Sequence, residues 1–592
     1  MQVNRILPTS FRAAEYTTSV KENRKETAYN NELSSKYLQN LAMQNIPAVT
    51  KVNLASKVQA PYQNHLRSRI QNNETVTLAI APRIFTAEDL NGDDKITFAL
   101  GEKNGTFLSA ISRLDELKKD GINNIHILPI HPMGRKNAQG TAGSLYSPAK
   151  YVTDDGHLAI DPMLIEKDDP RTPDEQFKAF IDECHKRNIS VMLDLPSCAS
   201  VDMFEAEPEL MAYGRNHEDK TPQGWDDIRM FDPWEDETKR TLNPALYEMH
   251  RQYVDACIDL GIDGIRADVA RAKPPEFWDK LITYSRQKDP EFGWLAESYT
   301  YECASPMVNM PYDRPEDLLK AGFDEYYGQY HIFQDWKASD FNEYVKFNLD
   351  LSHKLPAGKS VIGSFLTHDD VSSMLHGGEN FCKLTTVLQS TIPMCNPYFI
   401  DGFQTGDYYD YKYQNEYNEE TTTLKFDNKG KLVPKHDMNE HSYHLALFNL
   451  ARKPGGDCPD IERVMQGALK MREENQDVLA NKASSYIELD KVGDKNDQII
   501  AFARHFNGRT ILVVANKNPN RNITAKINVP GLKETQKLEN MVPDYGEKSE
   551  FQVAKNELNV NLAPCDAYVF EIDTPNIEQD RKGHVYKQKV NN

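Results

Sequence analysis

Strand-like and helical segments alternate along most of this 592-residue chain, and this alternation limits the possible folds more than any other feature. Short apolar runs typical of buried strands are each followed by a segment in which apolar residues recur with helical spacing. In chain order the predicted segments are Thr75–Ile80, Phe107–Lys118, Ile125–Ile130, Glu175–Arg187, Ile189–Leu195, Tyr247–Leu260, Ile262–Asp268, Phe277–Gln287 and Gly293–Glu297. Such alternation predicts a parallel sheet with right-handed crossovers. Enough units follow to close a (β/α)8 TIM barrel over residues 75–478.

Further regions flank or interrupt the predicted barrel. Residues 1–74 predict a polar N-terminal arm that is partly helical, with an amphipathic helix near Asn31 to Gln44. Residues 479–574 alternate between apolar and polar positions, which predicts a C-terminal all-β sandwich domain, and residues 575–592 predict a polar, frayed tail. Residues 196–243, after the third strand, form a long inserted loop without clean periodicity. Loops of this length are usually functional, so we expect this loop to overhang a site and to influence its specificity.

The composition excludes several classes of partner. The formal charge of -20 argues against nucleic acid or an anionic membrane, and it is compatible with an acidic cleft for neutral, hydroxyl-rich ligands. No apolar run approaches the length of a membrane span. The first residues, Met1 to Pro8, lack the apolar core of a secretory signal. The eight cysteines have no CxxC spacing, which favours reduced, buried thiols, and we therefore expect a cytoplasmic protein.

Acidic residues stand where several predicted strands end. Arg266 and Asp268 are two residues apart and face the same side of one strand, Glu297 ends the next, and Asp369 and Asp370 end a later one. In a parallel barrel these ends form the face where catalysis takes place. A structural ion pair is the alternative for the first strand. Several acids at one face would destabilise the fold, and chemistry on a cation-like transition state gives a reason for them.

A retaining glycosidase needs such a set of acids. Its mechanism uses one carboxylate as a nucleophile and one carboxylic acid about 5 Å away. We expect the nucleophile to stay ionised with the help of Arg266. The acid is expected to be protonated part of the time, because neighbouring anions raise its pKa.

Three motifs resemble the alpha-amylase family of glycoside hydrolases (family 13). Gly264–Asp268 resembles the family's nucleophile motif, Glu297 its acid/base motif, and Thr367–Asp369 its Asn-His-Asp motif. The resemblance extends from Thr75 to Asp573 and includes the order of the motifs and the trailing β domain. It implies that Asp268 is the nucleophile, Glu297 the general acid/base, and Asp369 the third carboxylate, which holds sugar hydroxyls. An alternative register gives that third role to Asp370.

The resemblance also implies roles in substrate binding. Arg266 would orient the nucleophile, and His368 would bond a sugar hydroxyl. Asp194 resembles the aspartate of the family's first conserved region. Tyr146 would form an aromatic platform under the reacting sugar, with simple loop packing as the alternative.

Departures from the usual motifs point to one branch of the family. Pro196–Ala199 stands where the family usually has Asn-His after its first aspartate, and Arg271 and Lys273 stand near the usual Lys-His. Lys273, Pro274, Phe277 and Trp278, together with Trp225–Ile228, are similar to the maltosyltransferase branch. Those enzymes form the same covalent sugar ester but pass it to a glucan or to phosphate. Lys273 or Arg271 would suit a phosphate, with solvated cations as the alternative.

An early acidic loop predicts a possible metal site. Asp89, Asn91 and Asp93 place oxygen ligands at alternate positions around a glycine turn, a spacing that suits calcium. The loop resembles a calcium loop of some family members, although Thr97 replaces the expected last acid. An acidic turn without metal is the alternative. No other cofactor is expected.

The sequence therefore predicts a retaining alpha-glucan enzyme that cleaves alpha-1,4-glucosidic bonds by a double displacement. Its expected substrate is an alpha-glucan or maltooligosaccharide. The first alternative is a glycosyl- or maltosyltransferase that uses a glucan or phosphate as acceptor. The second is a catalytically inactive glucan-binding relative, which the presence of all three acids disfavours.

Overall fold

Eight parallel strands close the barrel that the alternation predicts. The computed structural model describes residues 61–91, 96, 98–138, 144–212, 227–299, 315–328, 330, 337–369, 372–407, 458–543, 545–546 and 548–590. The barrel strands are Thr77–Ile80, Asn124–Ile127, Ser190–Leu195, Gly264–Ala267, Gly293–Ala296, Glu325–Tyr326, Ser360–Ile362 and a final strand in two pieces, Cys395–Asn396 and Tyr398–Ile400. The first piece pairs with the seventh strand and the second pairs with the first strand, so the sheet closes on itself. The prediction of a TIM barrel is confirmed.

Helices follow each barrel strand on the outside of the sheet. They are Pro82–Phe85, Phe107–Ala110, Leu114–Lys119, Pro173–Lys186, Pro244–Leu260, Pro275–Lys288, Pro315–Ala321, Ala338–Ser352, Met374–Thr391, Pro459–Glu474 and Gln476–Leu479. Within the described ranges, no helix has the length and apolar character needed to cross a membrane.

Local sequence sets the ends of the helix that leads into the fourth barrel strand. The Asn243 side chain accepts hydrogen bonds from the backbone N–H groups of Ala245 and Leu246 and so caps the start of Pro244–Leu260. Gly261 ends this helix in the left-handed region, with a φ of 92°, which suits a residue without Cβ. The chain then reverses into Gly264–Ala267, the strand that carries Arg266.

Residues of the predicted arm close the amino end of the barrel. The described part of that arm begins at residue 61, so the helix expected near residues 31–44 lies outside it. The helix Leu66–Gln71 buries Leu66 and Ile70 completely. Gly264 and Gly293 make room for them, because a Cβ added at either glycine would come within 2.8 or 3.0 Å of the Leu66 side chain. This segment is therefore part of the barrel core and not of a separate polar arm.

The inserted loop after the third strand contains short regular elements. They are the paired strands Cys198–Ser200 and Ile228–Met230, the helix Val201–Ala206, and the hairpin Trp234–Asp236 with Thr241–Leu242. Residues 213–226, which include Trp225 and Asp226 of the predicted pattern, lie outside the described residues.

The C-terminal region forms the predicted all-β domain. One antiparallel sheet contains Ser485–Glu488, Ile499–Phe506, Arg509–Asn516, Ala567–Ile572 and Val585–Lys587, and the other contains Lys491–Val492, Ile523–Asn528, Glu550–Ala554 and Glu557–Leu562. The expected frayed tail is corrected here: Val585–Lys587 pairs with Ser485–Ile487 and adds an edge strand to the first sheet. Val585 and Tyr586 of this edge strand pack against the apolar clusters, whereas Lys587 is exposed.

Arg504 connects the β domain to the barrel. Its guanidinium is wholly buried and donates to the backbone oxygens of Thr391, Val478, Leu479 and Ser485 at 2.9 to 3.3 Å. Because the last C=O groups of a helix lack partners within it, this single side chain satisfies carbonyls at two helix ends.

All seven described cysteines are buried and free, as the sequence analysis expects for them.

Candidate active site

One buried arginine connects three acids at the carboxyl ends of adjacent strands. Arg266 Nη1 donates to both carboxylate oxygens of Asp194 at 3.0 and 3.1 Å and to Asp268 Oδ1 at 2.8 Å. Its Nη2 donates to Glu297 Oε2 at 2.9 Å, and its Nε donates to the Tyr327 hydroxyl at 3.0 Å. Since strands three, four and five are neighbours in the barrel, a planar guanidinium on the central strand can reach acids on both sides.

Asp268 and Glu297 form a close pair that is partly open. They are near enough for a hydrogen bond when one of them is protonated. Their side chains are 13% and 11% exposed, so a ligand at the barrel mouth can reach both. Asp268 Oδ2 also accepts from the backbone N–H and the hydroxyl of Ser197, at 3.2 and 3.1 Å. Glu297 Oε1 accepts from the Tyr299 hydroxyl at 3.0 Å.

The direction of the pKa shift at Asp268 differs from the expectation. Burial raises the pKa of the Asp268 carboxyl well above its usual value, Arg266 opposes this rise, and the anions of Glu297 and Asp194 add to it. The sequence predicts that Asp268 is ionised and that the other acid holds the proton part of the time. Asp268 and Glu297 share one guanidinium, and for Asp268 the effect of burial outweighs that of Arg266.

Val269, directly after Asp268, has a strained backbone. Its φ of 34° and ψ of 59° lie in the left-handed region, which is unfavourable for a β-branched residue. In this conformation its N–H donates to Glu297 Oε2 at 2.8 Å. Such strain is typical of residues that shape a functional site.

Asp194 anchors the floor of the site. It is wholly buried, and its Oδ2 accepts from the Tyr146 hydroxyl at 2.9 Å and lies 3.2 Å from His126 Nε2. Burial alone would raise the pKa of Asp194, but Arg266 and the hydrogen bond from His126 lower it below its usual value. Asp194 is therefore a buried anion that is held by donors and is out of reach of a substrate.

Three buried residues of the floor were missed by the sequence analysis. They are His126, Tyr327 and Tyr398. Burial lowers the pKa of His126, so the neutral ring donates from Nε2 to Asp194 and accepts at Nδ1 from the Tyr398 hydroxyl at 2.7 Å. A histidine inside the apolar strand Asn124–Ile127 is the only signal that the sequence offers for this contact.

Tyr146 and His368 form one wall of the site. Their rings are stacked with centroids 5.5 Å apart, and the Tyr146 oxygen lies 2.8 Å from His368 Nε2. Since the Tyr146 hydroxyl donates to Asp194, the proton of this second bond comes from His368 Nε2. Asp369 Oδ1 lies 3.7 Å from the same nitrogen, and the Asp369 side chain is one third exposed. Asp370, the alternative third carboxylate, lies outside the described residues.

Lys273 does not line the open face of the site. It is 2% exposed, and its Nζ donates to the backbone oxygen of Ser197 at 3.4 Å. This placement differs from the expectation that Lys273 contacts a sugar or a phosphate.

The acidic loop near residue 90 remains a prediction as a metal site. Asp89 is half-buried and Asn91 is exposed, whereas Asp93 and Thr97 lie outside the described residues. Leu90 N–H donates to Glu102 Oε1 at 2.8 Å, and this hydrogen bond connects the loop to the segment that contains Glu102. Among the described residues, no group of three or more His, Cys, Asp or Glu side chains could hold a metal ion.

The fold and the site define a (β/α)8-barrel protein with a C-terminal β domain and paired carboxyls at the strand ends. Residues 490–573 match the family described as "Alpha amylase, C-terminal all-beta domain". The chain is 24% identical over 457 residues to an alpha-1,4-glucan:maltose-1-phosphate maltosyltransferase of Corynebacterium glutamicum; the match covers 72% of this chain and 58% of that protein. A protein of the same name from Corynebacterium pseudotuberculosis is 23% identical, over 81% of this chain and 66% of that one.

Solved structures agree with these sequence matches at the level of the fold. A maltogenic alpha-amylase from Thermotoga neapolitana has a TM-score of 0.58 at 19% identity, covering 85% of this chain and 100% of that one. An alpha-amylase from Lactobacillus plantarum has a TM-score of 0.59 at 16% identity, covering 85% and 99%. Together the comparisons confirm the resemblance to the alpha-amylase family and to its maltosyltransferase-like branch.

Proposed function

We propose that this protein is a retaining alpha-glucan enzyme that transfers a glucosyl or maltosyl unit through a covalent ester on Asp268. The observation that carries the proposal is the pair of carboxyls, Asp268 and Glu297, held by the two terminal nitrogens of Arg266. Retaining glycosidases require such a pair, with one proton between the two groups.

In the proposed reaction, Glu297 gives one proton away in the first step and takes up another in the second. Asp268 Oδ attacks the anomeric carbon while Glu297 gives the shared proton to the departing glycosidic oxygen, which leaves a glycosyl ester on Asp268. Glu297 then takes a proton from the acceptor hydroxyl, which displaces Asp268 from the anomeric carbon. Arg266 stabilises Asp268 as it becomes a leaving carboxylate, and Val269 N–H holds Glu297 in place.

Other residues would hold the sugar in the proposed site. Tyr146 is half-buried and its ring can take one face of a sugar, whereas His368 is 1% exposed and bonds the Tyr146 hydroxyl from inside the wall. Asp369 is exposed enough to accept from sugar hydroxyls. Asp194 keeps this wall in place through the Tyr146 hydroxyl.

Transfer to a glucan is favoured over hydrolysis. The name of these relatives describes a transfer between maltose 1-phosphate and an alpha-1,4-glucan. The burial of Lys273 weighs against its proposed use for phosphate binding. Because the match spans 58% of the first relative, the donor and the acceptor are proposals for this chain.

The product profile of the purified protein tests the proposal. The protein is incubated with maltoheptaose alone, with inorganic phosphate, and with maltose 1-phosphate. Sugars longer than the substrate indicate transfer to a glucan, a sugar phosphate indicates transfer to phosphate, and short sugars alone indicate hydrolysis. An unchanged substrate under all three conditions contradicts the proposal and favours the non-catalytic alternative.

Two variants assign the chemistry to the pair. Asp268→Asn and Glu297→Gln are each expected to lower kcat by roughly 1,000-fold or more while melting like the wild type. Asp279→Asn, which changes an exposed aspartate on the helix Pro275–Lys288, serves as the matched control. Near-full activity in either site variant would remove that residue from the proposed mechanism.

A further inference from the structure

A buried ammonium lies behind the proposed nucleophile. Lys273 is 2% exposed and stands between the short turn Ala270–Ala272 and the helix Pro275–Lys288. Its Nζ lies 5.3 Å from the ring centre of Phe231 and 5.7 Å from that of Trp278. Burial lowers its pKa to about 8. Burying a cation without a close counter-ion is unfavourable, so its retention calls for a reason beyond packing.

Ser197 connects this ammonium to the nucleophile. The backbone oxygen of Ser197 accepts from Lys273 Nζ, and its N–H and hydroxyl both donate to Asp268 Oδ2. Ser197 is itself 2% exposed, so it forms a buried connection between Lys273 and Asp268. Anything that moves the Ser197 peptide therefore moves two of the three donors that define the direction of the Asp268 carboxylate.

The charge of Lys273 also acts on Asp268. The Asp268 anion raises the pKa of Lys273, and by reciprocity the ammonium favours the ionised form of Asp268. Ionised Asp268 is the form that attacks the sugar. Lys273 thus acts on the charge of Asp268 in the same direction as Arg266.

We propose that Lys273 is a positioning residue for Asp268, which fixes Ser197 against the nucleophile and favours its ionised form without touching sugar or phosphate. The proposal deepens the function proposed above and rests on it for the role of Asp268. Ser197 lies in the segment Pro196–Ala199, where the sequence departs from the usual family pattern, so this arrangement belongs to this chain's own residues.

Two variants separate the hydrogen bond from the charge. Lys273→Met removes both, whereas Lys273→Gln removes the charge and keeps a donor for the Ser197 oxygen. Lys280→Met is the matched control, because Lys280 is exposed and its Nζ lies over the Tyr247 ring. Each full-length variant is assayed with maltoheptaose from about pH 5 to about pH 9.

The expected result is a lower kcat and a shift of the acidic limb in the pH profile of kcat/KM, with KM at the pH optimum unchanged. Lys273→Met should lower kcat by about 10- to 100-fold, because the carboxylate loses its fixed direction. The acidic limb of kcat/KM should move up by about one pH unit in both Lys273 variants, since Asp268 becomes harder to ionise. Lys273→Gln should keep more of kcat than Lys273→Met. If Lys273→Met does not fold, Lys273→Gln still tests the charge.

A second measurement does not depend on turnover. A water-soluble diazo reagent esterifies protonated carboxyls, and peptide mass spectrometry reports the esterification of Asp268 as a function of pH. The midpoint should be higher in Lys273→Gln than in the wild type. If the wild type turns over no glucan, the proposed function fails, and this curve still tests the effect of Lys273 on Asp268.

Two outcomes would overturn the proposal. A rise in KM for glucan or phosphate with kcat and the acidic limb unchanged would make Lys273 a ligand-binding residue. Equal pH curves for the wild type and both variants, in turnover and in esterification, would leave Lys273 with packing alone.

Discussion

Replacing Arg266 with methionine tests whether one guanidinium holds the acids of the site together. The side chain makes five hydrogen bonds, four of them to carboxylate oxygens. Removing one partner of a buried ion pair costs about 3–5 kcal/mol. We assign that cost to the pair with Asp194, which is 0% exposed, and little to Asp268 and Glu297, which water can reach. The free energy of unfolding at neutral pH should therefore fall by about 3–5 kcal/mol.

The loss should shrink as the pH is lowered. In the wild type, Arg266 lowers the pKa of Asp194, so this acid contributes stability above its unfolded pKa, and that stability is lost as the pH falls through the folded pKa. In Arg266→Met, burial without the cation raises the pKa of Asp194 instead. The variant then gains stability when Asp194 takes up a proton. The free energies of unfolding of the wild type and the variant should therefore converge as the pH is lowered from about 7.5 to about 5.

Thermal melting at both pH values measures this difference. At neutral pH the melting temperature of Arg266→Met should be roughly 2.5–4 °C below that of the wild type, and at acid pH the gap should at least halve. Arg251→Met is the control, because Arg251 makes its ion pairs with Glu248 and Asp255 at the surface and should contribute less than about 1 kcal/mol. A gap that stays below about 2 °C, or that widens in acid, would refute the reasoning.

Three further changes probe the barrel floor, the domain junction and the wall of the site. Leu66→Ala should lower the free energy of unfolding by about 3 kcal/mol, because it leaves a cavity beside Gly264; chemical denaturation measures it. Arg504→Met should cost about 3 kcal/mol by leaving buried carbonyls without donors, with KM for maltoheptaose unchanged. Tyr146→Phe should melt like the wild type and lower kcat about 10-fold, because its ring stays and its bond to Asp194 is lost; an unchanged kcat would contradict this role.

Strand positions and the acids at their ends could be predicted because both depend on short-range sequence patterns. Arg266 and Asp268 share a strand face whatever the rest of the chain does, and Glu297 follows an apolar run that can only be a buried strand. The closed barrel then brings the ends of adjacent strands together. The meeting of Asp194, Arg266 and Glu297 is a consequence of topology, and topology was readable from the alternation.

Contacts made by irregular segments could not be predicted in the same way. Ser197 reaches Asp268 across 71 residues, from a loop whose sequence shows no period. The helix Leu66–Gln71 packs its apolar side chains against the amino end of the barrel, in the space that Gly264 and Gly293 leave free. From the sequence alone, Lys273 would be expected to be a solvated surface cation. Only the structure shows that it is buried next to the rings of Phe231 and Trp278.

The total charge of the groups around the proposed nucleophile changes during the proposed reaction. On the proposed mechanism, Asp268 and Glu297 start with one proton and one negative charge between them, next to the buried anion of Asp194. Arg266 donates to Asp268, and Lys273 donates to the neighbouring Ser197, so two cations accompany these acids. These charges sum to about zero, which limits the cost of gathering three acids in a buried space. On the proposed mechanism, Glu297 gives its proton to the leaving oxygen, and the set becomes negative as the sugar develops positive charge. The site is therefore close to neutral at rest, and its stabilising field appears in the transition state, where it lowers the barrier.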